Sequence, residues 1–402
     1  MAGHDADEAD QGGISLFSSL YGWGADSVES IEVVLGNGSI IAASAAMHPD
    51  LFTCLKGGAN NFGIATRFRI KTFPTNGPLH VSLLQYSHEY IPTVLRALTN
   101  FTQHAHLEPD SASADLSVGF DTTLNSAGQT NTVYMLMLAR LVPPEEQRVD
   151  TTDESRLVPP LWQRFFDIPT LSTSTWRSTM SDIAQLVEMS NPYGYRVYKT
   201  TMTVRNDPTL LAQITDLVTT AFRDEAFTRG EAVLQAGMLV QPLTLPHLRY
   251  ARNQAQAQQQ EQGQAQEQQQ EQEQAQEQQQ GRGYGNLMLL DDEDEALILL
   301  SLEIHYLNET HSQRYTSLLN DILSRAEDLA RSSNNALHPF RYGNYAASGQ
   351  DVWAILRYQC KGDNKKGSCP MVDLVRDVQR RYDPQGIWER MLSGGFRIGI
   401  GD

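Results

Sequence analysis

The chain has no apolar run approaching the roughly 18 residues that a membrane-spanning helix needs. Its opening stretch, MAGHDADEAD, offers neither the basic nor the apolar segment of a secretory signal. Cations are scarce: 31 Lys and Arg stand against 48 Asp and Glu, a formal charge of −17. Nucleic acid and anionic membranes both call for clustered cations, so neither is expected as a partner. Three cysteines are too few for a disulfide framework, though Cys360 and Cys369 lie close enough in a polar loop to pair in an oxidising compartment. The phosphate-binding fingerprints G-x-x-x-x-G-K-[ST] and G-x-G-x-x-G after a strand are missing. So are G-x-S-x-G, H-E-x-x-H and the kinase motif set. His104 and His106, the closest pair of histidines, have no carboxylate or cysteine nearby and read as a solvated helix face rather than a metal site.

What is present begins with size. The 402 residues, 40% of them hydrophobic, suit one large or two medium domains with an ample core. One tract breaks the globular pattern: 17 of the 27 residues from Gln254 to Gln280 are glutamine. Without apolar a and d positions the tract cannot bury a face, and it reads as a disordered insertion spanning 253–283.

Around it the sequence predicts an α+β fold. IEVVLGNGSIIAAS is a hairpin turning at Gly36, Asn37 and Gly38, and HPDLFTCLKGG a short helix. IATRFRIKTF alternates Ile64, Thr66, Phe68 and Ile70 against Ala65, Arg67, Arg69 and Lys71, a strand with one wet face. The middle predicts strands at LHVSLLQY, ADLSVGF, TVYMLMLARL, RVYKTTMTV, EAVLQAGMLV and ALILLSLEIHYL. Two long helices join them, one capped by Asp207 before Pro208 and one opened by a Thr310/Gln313 capping box. Such a pattern belongs to an antiparallel sheet with helices on one face. Lining candidates on its strands are Tyr198, Met202, Met238, Gln241, Glu303 and His305, with facing open to a one-residue slip.

Glycines supply the remaining signal. GGISLFSSLYGWG and LKGGANNFG hold backbone that can approach a phosphate or heterocycle closely, or that simply turns tightly. The stretch from Gly12 to about Pro74, together with FRYGNYAASGQDVW and DVQRRYDPQGIWERMLSGGFRI, resembles berberine-bridge-enzyme-like oxidoreductases, flavoproteins of the vanillyl-alcohol-oxidase type, and fungal members above all.

That resemblance implies FAD as cofactor and a two-lobed FAD domain of which residues 12–77 form the second lobe. Residues 1–11 are expected to be an unstructured start, 78–335 a substrate domain, and 336–402 a segment returning to the FAD domain. Gly12, Gly13 and Ser15 would lie along FAD, with Gly63 and Ile64 near its ribose and adenine. Tyr342, Asn344 and Tyr345 match the family's Tyr-x-Asn-Tyr loop beside the flavin ring. A tyrosine there can take the proton of a substrate hydroxyl while hydride passes to flavin N5; plain core packing is the alternative for Tyr342 and Tyr345.

Departures from the family pattern are equally specific. The segment that carries the pyrophosphate loop and the flavin-linking histidine has no counterpart here, so bound FAD would be non-covalent. A separate polypeptide could supply that lobe. Ser19 and Ala59 stand where the family usually has glycine and Thr53 where it has tryptophan, and an added Cβ at either of the first two is expected to clash with cofactor or strain the turn. The implied activity is oxidation of a hydroxyl or amine of a small, secondary-metabolite substrate, with oxygen taking up the electrons. A cofactor-free binding module, and an interaction protein built on the glutamine tract, are the alternatives.

Overall fold

The computed structural model describes residues 12–74, 77–111, 113–124, 130–143, 146, 158–190, 193–225, 233–250, 285–290, 295–362, 369–391 and 395–398. The glutamine tract and residues 1–11 lie outside them. The chain divides into two compact units. A smaller one holds the described residues of Ala2–Phe73, Pro246–Glu293 and Asp351–Asp402; a larger one holds those of Pro74–Leu245 and Asp294–Gln350.

In the smaller unit the predicted hairpin forms. Strands β1 (Val28–Val34) and β2 (Ile40–Ser44) pair antiparallel with Val34 opposite Ile40. Their turn closes through Leu35 N–H to Ser39 O at 2.9 Å, while the Asn37 side chain accepts from Ser39 N–H. Helix α1 (Pro49–Leu55) starts on the proline and buries Leu51, Phe52, Cys54 and Leu55. Strand β3 (Ile64–Ile70) pairs with β1 and completes a three-stranded sheet in the order β2-β1-β3. It does not have the single wet face expected: as an edge strand it is exposed on both sides, with Ile64 56% exposed.

The larger unit is built on an antiparallel sheet, as the sequence predicted, with eight strands among the described residues: the six expected and two more, Ser172–Ser178 and Leu337–His338. Its strands are β4 (Leu79–Tyr86), β5 (Ser113–Leu124), β6 (Thr130–Leu141), β7 (Ser172–Ser178), β8 (Arg196–Arg205), β9 (Val233–Leu243), β10 (Leu297–Tyr306) and β11 (Leu337–His338). They run in the order β11-β8-β10-β9-β5-β6-β4-β7. Helices α2 (Ile91–His104), α4 (Pro208–Glu225) and α5 (Ser312–Ser332) pack on one face, and α3 (Met180–Ser190) follows β7.

Helical spacing explains that layer. Leu211, Ile214, Val218 and Phe222 of α4, and Tyr315, Leu319, Ile322 and Ala326 of α5, repeat every three or four residues and are all buried. They meet Leu116, Val118, Leu136, Met202, Val204, Val240, Leu300 and Leu302 in one continuous core. Asp207 caps α4 as expected, accepting from Thr209 and Leu210 N–H at 2.8 and 3.2 Å. The Thr310 capping box does not form. Instead Asn308 accepts from Thr310 N–H at 3.0 Å, and a 3-10 turn, Glu309–His311, leads into α5.

The C-terminal helices α6 (Ala354–Gly362) and α7 (Pro370–Tyr382) belong to the smaller unit. Arg381 and Tyr382 of α7 both bond the Asp50 carboxylate of α1, at 2.7 and 3.1 Å. Cys369 is disulfide-bonded, and Cys54 is a free thiol that burial pushes up from its ordinary pKa. Among the described residues no helix is long and apolar enough to cross a membrane.

Candidate functional site

Alternation along β10 sorts the lining candidates. Ile298, Leu300, Leu302 and Ile304 belong to the helix-covered core, so Ser301, Glu303 and His305 lie on the opposite face of the sheet. Register then places Met202 and Tyr198 of β8 and Met238 of β9 on the helix side. These three are corrected to core positions: Met202 and Met238 are buried, and the Tyr198 hydroxyl bonds Asn320 of α5 at 3.0 Å. Gln241, Glu303 and His305 stay on the face opposite the helices.

Polar side chains converge there. Glu303 faces Lys199 directly across β10 and β8, with Nζ 2.9 Å from Oε2. The Gln235 amide donates to its other oxygen at 2.6 Å, and His305 Nε2 lies 3.4 Å from Oε2, where it finds no aligned hydrogen-bond partner. Burial opposes ionisation of Glu303. The neighbouring His305 and Lys199 overcome it and hold the carboxyl at about 2. Gln241 donates to Asp115 at 3.0 Å. Asp115 lies half-buried by surface but enclosed by protein atoms, and the enclosure pushes its carboxyl up to about 6 against that hydrogen bond.

The Tyr-x-Asn-Tyr loop sits at this face. A 3-10 turn over Gly343–Tyr345 presents Tyr345, whose hydroxyl points to Gln241 Oε1 at 3.5 Å. Lys199 Nζ stands 5.5 Å over the Tyr345 ring. Tyr342 is buried, its ring edge-on to Tyr345 at 4.9 Å, and its hydroxyl accepts from Asn344 at 2.9 Å. Tyr345 is therefore the half-buried, site-facing member of the pair and Tyr342 its support. Sequence reasoning missed Lys199, Asp115 and Gln235. They become visible only once β8, β5 and β9 are in register.

In the smaller unit, Gly12 and Gly13 take φ of 111° and 76°, and their carbonyls accept from Ala25 and Gly24 N–H at 2.7 Å each. Both glycines are buried, and their positive φ favours residues without a Cβ. Ser15 is exposed beside it in sequence, its Oγ accepting from Phe17 N–H at 3.2 Å. Gly63 has a different reason to be glycine: a Cβ there would lie 2.4 Å from Val33 Cγ2 and 2.8 Å from Val34 O, so β1 packing alone demands it. Ile64 is exposed.

A second polar cluster in this unit was not foreseen. Asp26 accepts from Asn286 at 2.7 Å and from Trp23 N–H at 2.9 Å. Burial raises its pKa against these bonds and the charge of Lys56. His247 packs against Trp23 with ring centroids 4.2 Å apart and planes tilted by 53°, and it is held neutral by burial, at about 3. His104 and His106 each bond only helix carbonyls through Nδ1, and among the described residues no metal-binding group of His, Cys, Asp or Glu occurs.

No family model matches the chain. Its fold matches Physcomitrella patens BBE-like 1, with a TM-score of 0.60 and 14% identity over 95% of this chain and 68% of that one. It also matches the 6-hydroxy-D-nicotine oxidase of Arthrobacter nicotinovorans, with a TM-score of 0.60 and 13% identity over 95% and 69%. The fold is thus the one these two solved structures share, over 68% and 69% of their lengths. By sequence the chain is similar to the FAD-dependent monooxygenase FUP4 of Fusarium proliferatum (strain ET1), 29% identical over 96% of its own length. It spans 65% of the length of that relative.

Proposed function

We propose that this protein is an FAD-dependent oxidoreductase acting on a hydroxyl or amine of a small secondary-metabolite substrate, with oxygen as the final electron acceptor. The observation that carries the reading is Tyr345, turned toward Gln241 with Lys199 over its ring on the sheet face opposite the helices. Similarity to an FAD-dependent monooxygenase along nearly the whole chain supports FAD-dependent oxidoreduction in general.

FAD, when bound, supplies the two-electron acceptor. Gly12, Gly13 and Ser15 would hold it through backbone and hydroxyl, and Gly63 and Ile64 through backbone. The chain's own residues move the proton. In its phenolate form Tyr345 takes the proton of a substrate hydroxyl at Oη, while Lys199 sets a positive charge over the ring that carries the negative charge. Glu303 fixes that ammonium, and Asp115 holds the Gln241 amide, whose oxygen accepts from the Tyr345 phenol once the proton has been taken up. Asn344 orients Tyr342, which buttresses Tyr345.

The test is a visible absorption spectrum of purified protein with and without added FAD, followed by oxygen uptake with a panel of alcohols and amines. A flavin band with turnover that Tyr345→Phe lowers by 100-fold or so supports the reading. No flavin band in either sample overturns it in favour of a cofactor-free binding module.

A further inference from the structure

Among the described residues strand β8 has two neighbours, β10 along its whole length and β11 for two residues only, Leu337 and His338 opposite Val204 and Thr203. Beyond that pair the outer edge of β8 is served by a side chain. Gln350 accepts from Thr201 N–H at 2.9 Å through Oε1 and donates to Thr201 O at 2.6 Å through Nε2. An amide side chain thus stands in for the missing strand, making the two bonds that a backbone partner would make. The same Oε1 accepts from Ala347 N–H at 3.0 Å, so the loop is tied to its own anchor.

Two residues along β8, on the same face as Thr201, lies Lys199, the cation over the Tyr345 ring. The other end of the loop is fixed separately. Arg341 donates to His338 O and Phe340 O at 2.8 and 3.1 Å and to Glu327 of α5 at 2.7 Å. Between these two anchors the chain carries Tyr342, Asn344 and Tyr345.

We propose that Gln350 is a positioning residue: by pairing with the main chain of Thr201 it sets the register of the tyrosine loop on β8 and so holds Tyr345 against Lys199 and Gln241. The catalytic part of this statement rests on the oxidoreductase reading above; the positioning part does not. A side-chain amide does this better than a further strand residue, because it pins one point and leaves the turn at Gly343–Tyr345 free to present its ring.

Hydrogen exchange followed by mass spectrometry on the full chain tests the positioning directly. In Gln350→Ala, amides of Thr201 and of Tyr345 to Ala347 should exchange about 10- to 100-fold faster, as expected for losing two or three hydrogen bonds of ordinary strength. Those of α2 and α5 should not change. Gln350→Glu gives a sharper signature. A carboxylate cannot donate to Thr201 O, but a carboxylic acid can, so its loop protection should recover as pH falls through about 4. General destabilisation would instead deepen on acidification. This second variant also serves if Gln350→Ala fails to fold. Unchanged loop protection in Gln350→Ala, or no recovery in Gln350→Glu at low pH, overturns the proposal.

In flavin-loaded protein Gln350→Ala should lower kcat about 10- to 100-fold with KM nearly unchanged. Normal turnover with a loosened loop would overturn the catalytic part alone. A wild-type chain that takes up no flavin would sink the oxidoreductase reading and leave the exchange result standing.

Discussion

Glu303 and Lys199 stand directly opposite each other on adjacent antiparallel strands, their charged ends 2.9 Å apart on the face that carries Tyr345. With side chains only 15% and 32% exposed, the pair is far from a surface ion pair.

The pH dependence of stability should show this pair. Glu303 is held at about 2, below its ordinary 4.5. A depressed carboxyl stabilises the fold above its unfolded pKa, and the contribution is lost as pH falls through the folded value. The gap in unfolding free energy between wild type and Glu303→Gln should therefore be fully present at neutral pH. It should be on the order of 3 kcal/mol and close between about pH 5 and 2. Urea melts across that range check it, and a gap independent of pH would refute the assignment.

Asp115 should behave in the opposite sense. Enclosure raises its carboxyl from 3.8 to about 6, so ionisation costs the folded state stability as pH rises through that interval. Asp115→Asn keeps a carbonyl to accept from Gln241 and removes the charge. It should be more stable than wild type at pH 7, by at most about 3 kcal/mol, with the advantage vanishing below about pH 4. Thermal melts at pH 4 and 7 decide the matter; equal stability at both would sink it.

Neighbouring positions in the turn before β3 should respond with opposite signs. A Cβ on Gly58 would fall 1.9 Å from Cys54 O, a backbone atom that cannot step aside. Gly58→Ala should cost about 3 kcal/mol or more. Ala59 already sits at φ 51°, where an L-residue is strained, so Ala59→Gly should stabilise by roughly 0.5 to 1 kcal/mol. Chemical denaturation of the two variants, side by side, is the measurement.

How much of this was legible beforehand follows from which interactions are local. Strand β4 reads off the sequence residue for residue, since LHVSLLQY is apolar and bounded by turn residues. Strand β7 does not: Ser172–Ser178 holds one large apolar residue, Trp176, and exists because the edge of β4 offers it a ladder. The tyrosine loop was named because its spacing is a motif. Lys199, Asp115, Gln235 and Gln350 were not, since each owes its place to strands or loops far away in sequence. The Met202 and Met238 misreading has the same origin, a facing that only register settles.

Strand β3 leaves one question of colloidal behaviour. Among the described residues it has a partner on one side only, and an open strand edge invites a second copy to pair with it. Arg67 and Arg69, both 78% exposed at the side chain, guard that edge: two copies of β3 meeting would crowd guanidinium against guanidinium. Their acidic neighbours Glu32 and Glu29, 3.8 and 3.0 Å away, blunt the repulsion only in part. Such a guard works by charge, and salt shortens the reach of charge to about 3 Å at 1 M. The protein should therefore self-associate more readily as salt is raised, and light scattering along a sodium chloride series would show it.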